Sequence, residues 1–321
     1  VTAVLAAYAR ALVPRRRADP AGAVVPERTV VLPDVAFGRD RLERYARLTG
    51  DPAPRDRVPA CYPHLIAFPA AMDLMTRRDF PFPVLGLVHT ANRIDQVRPI
   101  GPAERLTYRV GIEQPRPHRR GSTFAVVTEA DDGTAVVWRS AATYLSRHPR
   151  PEGTAPGPPE VGDGTVGDGA TGEWPGAEAA AAGHPAAVHP AAGRPAAGRS
   201  GGEEEPGGAW AAEEWTVPAA IGRRYAAVSG DRNPIHLHPL TARPFGFRRA
   251  LAHGMWTKAR CLAALAERGA LPEEFTVTVT FRAPVLLPAL VTFRTRGGAF
   301  GLRGEDGRRE HLRGLVSPHR A

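Results

Sequence analysis

From about His148 to Gly208 the chain is dominated by Gly, Ala, Pro and Glu, with a near-repeat, HPAAV-HPAAG-RPAAG, at His184–Gly198. A stretch so poor in apolar surface cannot offset the entropy lost on ordering it. It therefore reads as a flexible linker, residues 148–208, between two foldable parts, residues 1–147 and 209–321. Trp174 is its one large side chain, and nothing nearby says where that side chain would dock. Any fold for this protein has to be built from two pieces of ordinary domain size, or one piece interrupted.

The two parts resemble each other. Tyr45–Asp51 reads YARLTGD and Tyr225–Asp231 reads YAAVSGD. Arg98-Pro99-Ile100 followed by Leu106-Thr107-Tyr108 matches Ala283-Pro284-Val285 followed by Val291-Thr292-Phe293 at nearly the same spacing. Each part ends in two strand-like runs around Asp-Gly (Asp132-Gly133 and Asp306-Gly307), a strong hairpin signal. A single long-period repeat of this kind predicts duplicated domains. Within each, a short helical turn leads to a Gly-Asp loop and then a longer apolar helix, Leu65–Met75 or Met255–Gly269. Strands follow, among them Phe275–Phe281 (FTVTVTF), whose alternation is that of a half-buried strand. One helix followed by an antiparallel sheet makes each part an α+β unit.

Composition excludes several classes. The chain is 43% hydrophobic and 23% charged, a normal globular balance. Cys61 and Cys261 are too far apart in sequence to suggest a disulfide framework or a zinc pattern, which predicts a reducing, cytoplasmic setting. Val1–Leu12 is mildly apolar but has no basic lead-in and no small-residue cleavage site, and no apolar run approaches the ~18 residues of a membrane span. The net charge of +9 comes from scattered arginines, with Lys258 the one lysine. Nucleic-acid binding needs clustered charge, so an anionic substrate carrier fits this distribution better.

The richest segment is Ser229-Gly230-Asp231-Arg232-Asn233-Pro234-Ile235-His236. Gly230 allows a tight approach and Pro234 stiffens the loop, so Asp231 and His236 are expected to be presented together from a non-helical turn. A carboxylate and an imidazole over one cavity can hold a water and move its proton. Asn233 has an amide to orient either partner. Read singly, Asp231 and Asn233 could equally be turn and cap residues. His238 lies two residues from His236 and in a strand would share its face, but no third metal ligand is evident and none is expected.

This string, with Tyr225 before it, resembles the fingerprint of the MaoC-like (R)-specific enoyl-CoA hydratases and 3-hydroxyacyl-thioester dehydratases. The resemblance runs on through Ala242, Phe245-Gly246-Phe247 and Ala252-His253-Gly254-Met255, covering most of Trp215–Val316. It implies a hot-dog fold in each part, a double hot-dog in which a long helix is wrapped by an antiparallel sheet. It implies a hydro-lyase that reversibly hydrates trans-2-enoyl thioesters, or dehydrates (R)-3-hydroxyacyl thioesters, in fatty acid or polyketide-type metabolism. The substrate would be carried on CoA or an acyl-carrier protein, with no further cofactor. Asp231 and His236 would be catalytic, Asn233 and Ser229 would support the site, and Gly254 would offer a backbone N–H to the thioester carbonyl. That last role makes physical sense, because a helix N-terminus stabilises the charge developing on the oxygen.

Other residues carry two readings. His253 is either a second base or a packed ring bonded to backbone. Arg282 and Arg98 either meet carrier phosphates or are surface arginines. The first part keeps Gly50-Asp51 but continues Pro52-Ala53-Pro54-Arg55-Asp56, without the histidine, and Pro63-His64-Leu65-Ile66 lacks the glycine. It is expected to be non-catalytic and to make room for the acyl chain. Phe68, Met72, Leu74 and Met75 either line that space or are ordinary core. Whether such chains pair into a homodimer stays open. So do two other functions, a non-catalytic acyl-binding subunit and a hot-dog thioesterase.

Overall fold

The structure is a computed structural model and describes residues 2–12, 20–52, 56–149 and 210–319. Apart from His148 and Pro149, the expected linker, with Trp174, lies outside the described residues. The first half runs α1 (Thr2–Leu12), β1 (Thr29–Ala36), α2 (Arg39–Thr49), α3 (Tyr62–Met75), β2 (Val88–Gln96), β3 (Arg105–Ile112), β4 (Arg116–His118), β5 (Gly121–Asp131) and β6 (Val136–Arg147). The second runs β7 (Ala211–Val217), α4 (Ile221–Ser229), α5 (Pro234–Leu237), α6 (Pro239–Ala242), α7 (Gly254–Glu267), β8 (Phe275–Phe281), β9 (Ala289–Arg296), β10 (Ala299–Gly304) and β11 (Glu310–Pro318).

The FTVTVTF alternation is realised in β8. Phe275, Val277 and Val279 are buried, while the threonines between them are partly exposed. β8 pairs antiparallel with β11 on one side and with β2 of the first half on the other, Ala91 facing Thr280 and Gln96 facing Phe275. The sheet is therefore continuous across both halves, in the order β1-β3-β5-β6-β2-β8-β11-β10-β9-β7. Read outward from the β2–β8 seam, each side meets its own strands in the same relative order, so the two halves are related by a pseudo-two-fold axis at the seam. This is a double hot-dog.

The "short helical turns" of the Tyr-Ala segments are full helices, α2 and α4. Each ends on a left-handed glycine, Gly50 at φ 73° or Gly230 at φ 84°, whose N–H donates to the carbonyl of Ala46 or Ala226. That conformation costs a side-chain-bearing residue steric strain, which is why both copies keep glycine there. The rings of Tyr45 and Tyr225 meet at 6.1 Å between the halves.

The central helices are α3 and α7. From Met255 to Leu265 every residue of α7 except Arg260 is buried, so this stretch of the helix has no wet face. Leucines such as Leu262 and Leu265, each at most 3% exposed, contribute roughly 2 kcal/mol apiece by burial. The two halves share one hydrophobic core. At the seam, Lys258 of α7 is wholly buried and its Nζ donates to Asn92 Oδ1 of β2 at 2.6 Å. Asn92 in turn donates to Ser140 Oγ at 3.0 Å.

Candidate active site

The Gly230 turn sends the chain away from α4, and Ser229 Oγ accepts from the Asp231 N–H at 3.1 Å to fix the next residue. Asn233 then caps α5, its Oδ1 accepting from the Ile235 N–H at 3.3 Å, while its own N–H donates to Asp231 Oδ1 at 3.1 Å. Both the turn-and-cap role and the convergence on one cavity are thus present in one loop. His236 rides on α5, a single helical turn where a non-helical one was expected.

Leu251 holds His236 in place. Its N–H donates to the Ile235 carbonyl at 3.0 Å, and its carbonyl lies 3.0 Å from His236 Nδ1. A carbonyl only accepts, so Nδ1 carries the proton and Nε2 presents a lone pair. From the other side α4 packs so closely that a Cβ on Gly222 would lie 2.1 Å from the His236 carbonyl oxygen.

His253 sits under this pair, 3% exposed, its ring 3.7 Å from that of His236 and nearly parallel to it. Its Nε2 donates to the Asp231 main-chain oxygen at 3.0 Å, so the ring makes the backbone bond of the packed reading. Burial, and then the neighbouring His236, push its pKa down to about 3. Burial also lowers His236, against the pull of Asp231 and the Leu251 carbonyl. Burial works to raise the Asp231 carboxyl, but the facing imidazoles and the hydrogen bonds from Tyr8 and the Asn233 N–H outweigh it and hold it below the usual range. The resting pair is a carboxylate and a neutral imidazole.

These groups open on a cavity of about 470 Å³. Gly254 begins α7 at its wall, where first-turn N–H groups have no acceptor within the helix. A Cβ on Gly254 would come within 3.2 Å of the Phe281 ring. Phe68, Met72 and Met75 of α3 line the far side and are buried as well, so lining and core are not exclusive roles. Leu74 does not join them: it faces Val25, Phe80 and Ile112 on the opposite side of α3.

The expected arginines part company. Arg282 lines the cavity, with Glu310 at 3.8 Å. Arg98 does not: Glu104 at 2.7 Å and Asp132 at 2.9 Å hold its guanidinium away from that lining. His238 turns away to cap α6, accepting from the Leu240 N–H, and does not converge with His236. The groups that could meet one cation are instead Asp231, His236 and His253, whose ligand atoms lie within 4.8 Å of one another. Two of their ring nitrogens are already committed to carbonyls.

Sequence reasoning missed Tyr8. Its hydroxyl donates to Asp231 Oδ1 at 2.5 Å from helix α1, across 223 positions, and no local signal marks it. Arg147, at the end of β6, also lines the cavity unannounced.

Residues 204–304 match the model of the MaoC like domain. The 3-hydroxyacyl-thioester dehydratase X of Mycobacterium tuberculosis is 33% identical over 297 residues, 92% of this chain and 88% of that protein. The chain belongs to the MaoC-like dehydratase family. A crystal structure of HtdX from the same organism, 30% identical, superposes with a TM-score of 0.67 over 91% of this chain and 100% of that one. A 3-hydroxybutyryl-CoA dehydratase of Methylorubrum extorquens is 41% identical over 71 residues, 21% of this chain and 44% of its own length. By family the chain is a hydro-lyase. The MaoC match takes in Asp231, His236 and Gly254 but not Tyr8, α3 or Arg147. No described helix is long and apolar enough to cross a membrane.

Proposed function

We propose that this chain dehydrates (R)-3-hydroxyacyl thioesters, and hydrates trans-2-enoyl thioesters in reverse, with Asp231 and His236 as the working pair. One observation carries the reading. The bare Nε2 of His236 and the Asp231 carboxylate share a cavity with the first-turn N–H of α7 at Gly254.

In hydration, a water held by Asp231 gives a proton to His236 Nε2 as its oxygen bonds to C3. The electron pair of the C2–C3 double bond moves toward the thioester carbonyl, whose oxygen takes up negative charge facing the Gly254 N–H. The His236 imidazolium, steadied by Asp231, then returns the proton to C2. Dehydration is the reverse. All the acid–base groups belong to the chain, and the reading calls on no cofactor beyond the pantetheine of the substrate.

The acyl group would extend toward Phe68, Met72 and Met75. Arg147 and Arg282 lie at the same end of the sheet, because β6 and β8 flank β2 and run parallel to each other. They suit the anionic part of a CoA or acyl-carrier-protein pantetheine. In this reading the first half supplies wall and volume, and the second half supplies the chemistry.

The test is loss of the enoyl-thioester absorbance when trans-2-enoyl-CoA is added to the protein. Turnover that disappears in both Asp231→Asn and His236→Ala supports the reading. Tight binding without turnover by the natural chain would overturn it in favour of an acyl-binding subunit.

A further inference from the structure

Helix α1 has no counterpart among the described residues of the second half, and it lies outside the segment matching the MaoC domain. It is nonetheless anchored to the body of the protein. Ala7 is buried, and Arg10 reaches α3 through Asp73 at 2.9 Å and Thr76 at 3.1 Å. Two residues before Arg10, Tyr8 enters the cavity and donates its hydroxyl to Asp231 Oδ1.

The two oxygens of Asp231 are thereby made unequal. Oδ1 takes the Tyr8 hydroxyl and the Asn233 N–H. Oδ2 accepts no hydrogen bond among the described residues: His253 Nε2, 3.8 Å away, donates its hydrogen bond to the Asp231 main-chain oxygen instead. The Asp231 side chain is still 27% exposed. Its ligand atom lies within 4.8 Å of that of His236. Two hydrogen bonds of ~2.8 Å meeting at one water span about 4.6 Å, so side chains this close lie within reach of one shared water.

We propose that Tyr8 is a positioning residue of the reaction: it saturates Oδ1 of Asp231, leaving Oδ2 as the oxygen that holds the water beside His236. The assignment rests on the function proposed above. Tyr8 does not itself move a proton. Burial and the adjacent carboxylate push its pKa well up, so the hydroxyl stays protonated and acts as a fixed donor. The groups facing Asp231 are His236 from α5, His253 at the start of α7, Tyr225 from α4, Tyr144 from β6, and His64 and His89 from the first half. Among the described residues, Tyr8 rather than any of these is the one whose side chain donates a hydrogen bond to the carboxylate.

Tyr8→Phe in the full chain removes the donor and keeps the ring that packs α1. We expect kcat for trans-2-enoyl-CoA hydration to fall about tenfold or more, with KM within about twofold and thermal stability nearly unchanged. The Asp231 carboxyl, followed by carbon NMR and assigned with Asp231→Asn, should titrate about half a pH unit or more higher in Tyr8→Phe. An unshifted titration overturns the proposal whether or not the natural chain turns over. A shifted titration with natural kcat overturns the catalytic role of the contact. An inactive natural chain with a shifted titration supports the Tyr8–Asp231 link and overturns the function reading alone.

Discussion

His236 Nδ1 lies 3.0 Å from the carbonyl oxygen of Leu251, and that contact decides which nitrogen of the imidazole works. With Nδ1 donating, Nε2 is the nitrogen left to act as base in the proposed reaction, and burial holds the pKa of the imidazole below the ordinary histidine range. The acid limb of kcat/KM for hydration should therefore lie below pH 6.5, the unperturbed histidine value. A profile from pH 5 to 8 that is flat above 6.5 and falls below it is the expected result. Activity that rises on acidification would show that the imidazolium is the resting form. His236→Ala should lower kcat by several orders of magnitude with little change in melting temperature.

Asp51 occupies in the first half the place of Asp231, after the same left-handed glycine. It has Arg57 at 3.8 Å and no histidine five residues on. Asp51→Asn should leave kcat within about threefold of the natural value, against a loss of several orders for Asp231→Asn. Parallel steady-state assays of the two variants measure the asymmetry of the halves.

Gly222 is a steric requirement of the site. In Gly222→Ala the new methyl would meet the His236 carbonyl oxygen at 2.1 Å, so α4 or α5 has to move. A shift of the imidazole of even a fraction of an ångström disturbs proton transfer. We expect kcat to fall ten- to a hundredfold and stability to drop by about 1–3 kcal/mol. Urea denaturation alongside kinetics would separate the two effects, and a fully active, fully stable variant would contradict the packing.

Lys258 gives a pH-dependent stability. Burial pushes its pKa down to about 8 from the ordinary 10.5. Between those values the unfolded chain holds a proton that the folded chain has lost, so stability contributed by this group rises with pH through that window. The full effect is roughly 3 kcal/mol. The cysteines oppose it, since burial raises Cys61 to about 11 and unfolding would release its proton. The readout is therefore the difference between natural chain and Lys258→Met in urea melts from pH 7.5 to 9.5. That difference should grow in favour of the natural chain as pH rises, and a flat difference would refute it.

What could be read in advance was whatever the chain keeps local. The Ser229–His236 loop holds its turn glycine, cap and acid–base pair within eight residues, so its chemistry is spelled out in order. The β8 strand announces itself by alternation, and the duplicated Tyr-Ala…Gly-Asp segments announce the two-fold relation. The contacts that escaped are long-range. Tyr8 reaches Asp231 across 223 positions and Lys258 reaches Asn92 across 166, and nothing at either end marks the partner.

Other failures have their own physics. Met72, Leu74 and Met75 are equally apolar, so sequence could not say that Leu74 points away from the cavity; only the seating of α3 decides that. Pro-Ile-His-Leu is too short for periodicity to show, which hid the helical turn of α5 and the outward aim of His238. Arg98 looked free because Asp132, which holds it, comes from the next hairpin.

The mirrored strand order has one more consequence. In a pair of identical copies, any substitution that widens one side of the seam also appears on the other, at the cost of whichever catalytic group it replaces. When the copies are written into one chain, that bond between them is cut. In sequence, Pro52-Ala53-Pro54-Arg55-Asp56 replaces Arg232–His236 and Leu65 replaces Gly254, while Ser229–His236 is kept whole. Change in substrate range can then accumulate on α3 and β2 while α5 and α7 hold still.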